Sequence, residues 1–108
     1  MNKDIRFMWL MVFFDLPVTT KKERGNATRF RNFLKRDGFL MIQFSVYARI
    51  CRAEEGVEKH LKRIKSNLPP KGSVRTLQIT DKQYARMQLL VGESAKTERK
   101  ASEQLVLL

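Results

Sequence analysis

One stretch limits what this chain can become. From Phe7 to Phe14 every residue is apolar, and the run then meets a single carboxylate, Asp15, before Leu16 and Pro17 stop it. That is strand length rather than helix length, and the Phe and Val content favours extended backbone. Neighbours in a strand point to opposite faces. Phe7, Trp9, Met11 and Phe13 therefore share one face, with Asp15 continuing the row, and Met8, Leu10, Val12 and Phe14 take the other. Both faces are apolar, so both need cover. A carboxylate at the mouth of such a strand either caps the turn into the next element or does chemistry; the strand itself leaves both readings open.

At 108 residues the chain has room for one domain with a modest core. A hydrophobic content of 43% argues against a disordered chain. The 22 Lys and Arg against 11 Asp and Glu leave +11 on a small body. The simplest partner for that charge is nucleic acid, with an anionic membrane or a merely solvated basic surface as alternatives. Cys51 is the only cysteine, so neither an internal disulfide nor a cysteine-rich zinc site is possible, which fits a reducing cytoplasm. Lys3 and Arg6 ahead of the apolar run resemble the start of a signal peptide. Asp15-Leu16-Pro17 follows with no small-residue cleavage site, however, and no stretch is long enough to span a bilayer. A cytoplasmic protein without membrane contact is expected.

Thr20 with Glu23 fits a capping box, so a helix is expected to begin there. Ala27, Phe30, Phe33 and Leu34 form its buried stripe, Arg24, Arg29, Arg31, Lys35 and Arg36 lie mostly opposite, and Gly38 is a natural stop. Phe39 to Cys51 reads as extended structure with a break near Gln43 to Ser45. Beyond it Val46, Ala48 and Ile50 alternate with Tyr47, Arg49 and Cys51. A second helix follows on Val57, Leu61, Ile64 and Leu68. Its early residues Glu54, Glu55 and Glu58 and late residues Lys62, Arg63 and Lys65 suit the helix dipole, and Pro69-Pro70 ends it. His60, the only histidine, has no metal-binding companion in sequence and reads as a surface residue. Gly72 opens a strand in which Val74, Thr76 and Gln78 alternate with Arg75, Leu77 and Ile79. Thr80 to Lys82 read as a turn and Met87 to Val91 as a last short strand.

The order strand, helix, strand, strand, helix, strand is the split βαβ arrangement: an α+β, ferredoxin-like βαββαβ sandwich with an extra C-terminal strand. Residues 1–92 form this domain. Residues 93–108 form a charged tail ending in the apolar Leu105, Val106, Leu107 and Leu108. The helices cover one sheet face. The first strand is apolar on the other face too, which predicts a homodimer packed sheet to sheet, with Trp9 at or near the contact.

An apolar strand ending in aromatic-Asp, a basic helix ending at Gly38 and the segment Ile42-Gln43-Phe44-Ser45-Val46-Tyr47 together resemble the small CRISPR-associated adaptation proteins, the Cas-two family, whose members are called endoribonucleases. The resemblance covers roughly residues 7 to 92. It implies a ferredoxin-like homodimer that bridges integrase subunits during capture of foreign DNA as new spacers. For several members it implies metal-dependent cleavage of RNA or DNA. The family's metal-binding aspartate falls on Asp15. The preceding aromatic, often Tyr, is Phe14 here, and a basic residue common before the Ile-Gln pair is Met41.

Within that resemblance a single Asp15 holds Mg²⁺ or another divalent cation poorly, since such ions take oxygen ligands with one or two carboxylates. Two copies meeting near a two-fold axis supply two. The metal then activates water and neutralises charge at the scissile phosphate. The alternative is a non-catalytic DNA-binding scaffold of the integrase complex, which has no need of Asp15. A ribosomal or RNA-packaging protein shares the charge and fold but gives Asp15 no reason. For phosphate contact the expected residues are Arg24, Arg29, Arg31, Lys35 and Arg36 with Lys62, Arg63 and Lys65. Leu105 to Leu108 are expected to dock on the integrase subunit, and about a third of these cations to serve only to solvate their helices.

Overall fold

A computed structural model describes residues 6–91. In chain order the elements are β1 (Phe7–Asp15), α1 (Lys21–Arg36), β2 (Leu40–Gln43), β3 (Val46–Arg52), α2 (Ala53–Lys65), β4 (Ser73–Thr80) and a short α3 (Asp81–Ala85). The four strands make one antiparallel sheet in the order β2-β3-β1-β4. The protein is thus α+β with the ferredoxin-like strand order, β1 lying between β3 and β4.

The period of two in β1 decides which side chains meet the helices. Leu10, Val12 and Phe14 are buried with Phe30, Phe33 and Leu34 of α1, Val57 and Ile64 of α2, and Tyr47 and Cys51 of β3. Phe14 is central: it meets Phe30 edge-on at 5.1 Å and Tyr47 at 5.7 Å. Aromatic pairs of this geometry add about 0.5–1.5 kcal/mol beyond burial. The α1 start forms as its sequence requires. Thr20 accepts from the Glu23 amide at 3.1 Å, and the Glu23 carboxylate accepts from the amides of Thr20 and Thr19, each at 3.0 Å. Those donations, the Thr20 amide foremost, hold the Glu23 carboxyl below its ordinary range.

The break expected between Gln43 and Ser45 is present, as a hairpin turn with Ser45 at φ +70°. Four expectations are corrected. His60 is not a surface residue; it is 5% exposed, turned inward on α2 so that its Nδ1 meets the Asp37 carboxylate at 2.7 Å. Helix α2 stops at Lys65, capped by Ser66, ahead of the two prolines, and this leaves Leu68 outside the helix and half-exposed. Asp81 and Lys82 are not in a turn but open α3, because Thr80 and Gln83 form a second capping box. Met87 to Val91 is not a strand: the Met87 amide bonds to the Tyr84 carbonyl and prolongs the α3 turn. The chain then passes Leu40, Met41 and Ile42 of β2, sharing a cavity with them through Met87 and Leu89. The expected tail, 93–108, lies outside the described residues.

The second face of the sheet carries Phe7, Trp9, Met11 and Phe13. Trp9 is half-buried there because α3 folds over it: Tyr84 stacks on the indole and Asp81 accepts its N–H at 2.7 Å. Met11 is buried, whereas Phe7, Ile50 and Leu77 stay exposed.

Candidate active site at the end of the first strand

Asp15 is the last residue of β1 and is exposed. The chain fixes it at both edges of the strand. Across one edge its register partner is Ser73, the first residue of β4. Gly72, just before, has φ +98°, and a Cβ there would lie 2.5 Å from the Asp15 carbonyl oxygen. Only glycine combines that backbone angle with so close an approach. On the other edge the Phe14 amide donates to the Ser45 carbonyl at 3.1 Å, tying the strand end to the β2–β3 turn.

Asp15 continues the row of the uncovered face. The register Phe13↔Arg75 places Arg75 on that face, diagonal to Asp15, so a carboxylate and a guanidinium share one corner of the sheet. Arg75 was not singled out from sequence. The signal was there in the alternation of β4, but only the register with β1 shows which side it takes and how near the strand end it lies.

On the helical side, Arg31 reaches the same corner. Its guanidinium carbon lies 4.9 Å from the Phe14 ring centroid and 3.8 Å from that of Phe44, and Nη2 donates to Ser45 Oγ at 2.9 Å. Arg31 is therefore half-buried between two rings rather than spread on the surface with the other helix cations.

The remaining expected phosphate ligands divide in two. Arg24 donates to the carbonyls of Val18 and Thr19, Arg29 to Asn26 Oδ1, and Arg63 to Asp37 Oδ1. Lys35, Arg36, Lys62 and Lys65 are exposed on the outer sides of α1 and α2. The structure thus does not gather all eight at one place: Arg31 lies at the Phe44 turn on the helical side, and Arg75 shares the sheet face of Asp15.

Other chemistry-bearing groups are accounted for structurally. Asp37 caps α1 and is 7% exposed in its side chain, with His60 and Arg63 on its two oxygens. Burial alone would raise its pKa; the hydrogen bonds from His60 and Arg63 outweigh that and hold the carboxyl below its usual range. Cys51 is buried in the core, and that burial pushes its thiol up. Among the described residues no three His, Cys, Asp or Glu side chains come together as a metal would need. Nor is any helix of the described residues long and apolar enough to cross a membrane.

A family model described as CRISPR associated protein Cas2 matches residues 8–87, from β1 to just past α3. The chain belongs to the Cas2 family. Curated members agree along almost the whole sequence. The chain is 48% identical over 94% of its length to a protein of Flavobacterium psychrophilum named CRISPR-associated endoribonuclease Cas2, covering 89% of that relative. It is equally similar, 48% over 94% of its length, to the protein of that name from Acidovorax ebreus, covering 99% of it. The namesake from Ligilactobacillus salivarius is 46% identical and is covered in full. Membership in the Cas2 family fits the fold, for the match includes both edges of the Asp15 corner: the Phe44–Ser45 turn and the start of β4.

Proposed function

We propose that the protein is an endoribonuclease of a CRISPR system that cuts a phosphodiester at the Asp15 corner with the help of a divalent cation such as Mg²⁺. The observation that carries this reading is the exposed Asp15 carboxylate, positioned by Gly72 and Ser45 within a fold whose relatives bear the endoribonuclease name. A lone carboxylate is too few ligands for such a cation, so the reading includes a homodimer in which two copies of Asp15 face one site. When bound, the cation would activate water and offset phosphate charge. The protein's own part is to hold Asp15 rigidly at a strand end and to place Arg75 where it can meet phosphate oxygen. Phe14 brings no hydroxyl to that corner.

The same basic surface suits a role in spacer acquisition, in which the dimer binds DNA and bridges integrase subunits. That no three metal-ligating side chains come together among the described residues favours keeping this non-catalytic scaffold as the second reading. Docking of Leu105 to Leu108 on the integrase subunit belongs to it. Truncation after Glu103 should leave the dimer intact and abolish co-purification with that subunit; unchanged co-purification would remove the tail from the interface.

The test of the main reading is cleavage of single- and double-stranded RNA and DNA by wild type and Asp15→Ala, with Mg²⁺ and with EDTA. We expect cleavage of RNA by wild type with Mg²⁺ only. Equal cutting by Asp15→Ala would defeat the nuclease reading. Normal spacer acquisition with Asp15→Ala would favour the scaffold.

A further inference from the structure

Phe44 is 76% exposed, a whole aromatic ring presented to water at the tip of the β2–β3 turn. Single exposed apolar side chains are common and mean little. Three observations set this one apart. Its inner face is taken by a cation: the Arg31 guanidinium carbon is 3.8 Å from the ring centroid. Its position is fixed, because the next residue, Ser45, holds φ +70° and is bonded both to Arg31 through Oγ and to the Phe14 amide through its carbonyl. Finally, Arg31 Nη1 is buried with no hydrogen-bond partner among the described residues. A buried, unpaired guanidinium nitrogen costs free energy that the fold alone gives no reason to spend.

We infer that Phe44 is a stacking platform for one unpaired nucleobase, stiffened from behind by Arg31 and set beside the Asp15 corner. The assignment rests on the ribonucleic-acid reading above and names the side chain that would hold the strand by a base. The outer face of one phenyl ring matches one base, and every base has a π-face to offer. The guanidinium behind draws ring electron density inward, which makes the outer face a better partner for an electron-rich purine. In a duplex both faces of each base are already stacked, so the platform has nothing to hold. The bond from the Phe14 amide to Ser45 ties the platform to the end of β1, on the helical side of the strand whose other face carries Asp15.

The occupant is thus an unpaired base of a single-stranded RNA, and the test compares strands. Affinities of wild type, Phe44→Leu and Phe44→Trp are measured in EDTA at one salt concentration. The probes are labelled oligoadenylate and its duplex with oligouridylate. Base stacking on an aromatic side chain is worth enough that its loss should weaken single-strand binding between about fivefold and about a hundredfold. Phe44→Leu should show that loss and keep wild-type affinity for the duplex. Phe44→Trp should recover single-strand affinity. Duplex binding of each variant reports on its folding, since a misfolded variant loses both. A merely structural Phe44 would move both affinities together or neither, and either result overturns the platform. An oligoadenylate bound equally by wild type and Phe44→Leu overturns the platform alone. Failure of wild type to bind either probe overturns it together with the ribonucleic-acid reading.

Discussion

Trp9 lies flat against Tyr84, with ring centroids 3.8 Å apart and planes 9° from parallel. The stack, with the indole N–H on Asp81, gives Trp9 a cover from its own chain and shifts attention to what α3 leaves bare. Phe7, Ile50 and Leu77 remain between 41% and 50% exposed on the same sheet face. A second copy is the occupant that the proposed two-carboxylate site calls for, so these residues should form the dimer contact. Leu77→Asp should give a monomer by sedimentation at micromolar concentration, where wild type should be a dimer. Trp9→Phe, which loses one hydrogen bond, should cost about 0.5–1.5 kcal/mol of stability and leave the dimer in place. A wild-type monomer at that concentration removes the shared site.

Asp37 gives the fold a defined response to acid. Its carboxyl faces His60 and Arg63, and Arg49 donates to its main-chain carbonyl. Its folded pKa is depressed, so its contribution is present above the ordinary aspartate range and is lost as pH falls through the folded value. Urea midpoints should therefore drop below about pH 4 in wild type. Asp37→Asn should start lower, by about 1–3 kcal/mol for the broken buried network, and vary less over that window. Parallel pH profiles for the two proteins would refute this account.

Much of this architecture was legible in the sequence. The apolar run of β1, the Thr20–Glu23 box and the alternation in β3 and β4 are local signals, and they give the strand order and the Asp15 strand end. What escaped depends on partners distant in sequence. His60 looked exposed because its companion, Asp37, is on another helix. Thr80–Gln83 is a capping box as plain as the first, yet it was hidden by an apolar segment behind it that favoured a strand. Arg31 looked like its neighbours on α1; only the return of the Phe44 turn over it makes it different. Arg75 needed the register of β4 against β1.

Gly72 should be the backbone position on which the corner depends. A methyl group there meets the Asp15 carbonyl oxygen at 2.5 Å and Leu16 Cα at 3.1 Å, at a φ that L-residues avoid. Gly72→Ala should cost about 1–3 kcal/mol in stability. By pushing on Asp15 itself, it should also lower RNA cleavage more than Gly25→Ala, whose added Cβ meets nothing within 4 Å. Comparing the two variants at a temperature where both are folded separates displacement of the carboxylate from loss of protein. Equal activity in both would show that Asp15 tolerates movement.

The cations should separate by what they already hold. Arg24 and Arg63 are bonded to the α1 entry loop and to Asp37, so Arg24→Ala and Arg63→Ala should cost up to about 1 kcal/mol of stability. Lys35, Arg36, Lys62 and Lys65 are exposed, and their replacement by Ala should leave stability within about 0.5 kcal/mol. Each of the four that contacts phosphate releases counterions on binding, so its loss should flatten the plot of log affinity against log salt by about 0.7 for a single strand. Arg75 belongs with these four by exposure and with Asp15 by position. Arg75→Ala should flatten the salt dependence and also slow cleavage at saturating RNA, whereas Lys35→Ala should weaken binding alone. If Arg75→Ala behaves as Lys35→Ala does, the guanidinium at the Asp15 corner only binds the strand and takes no part in cutting it.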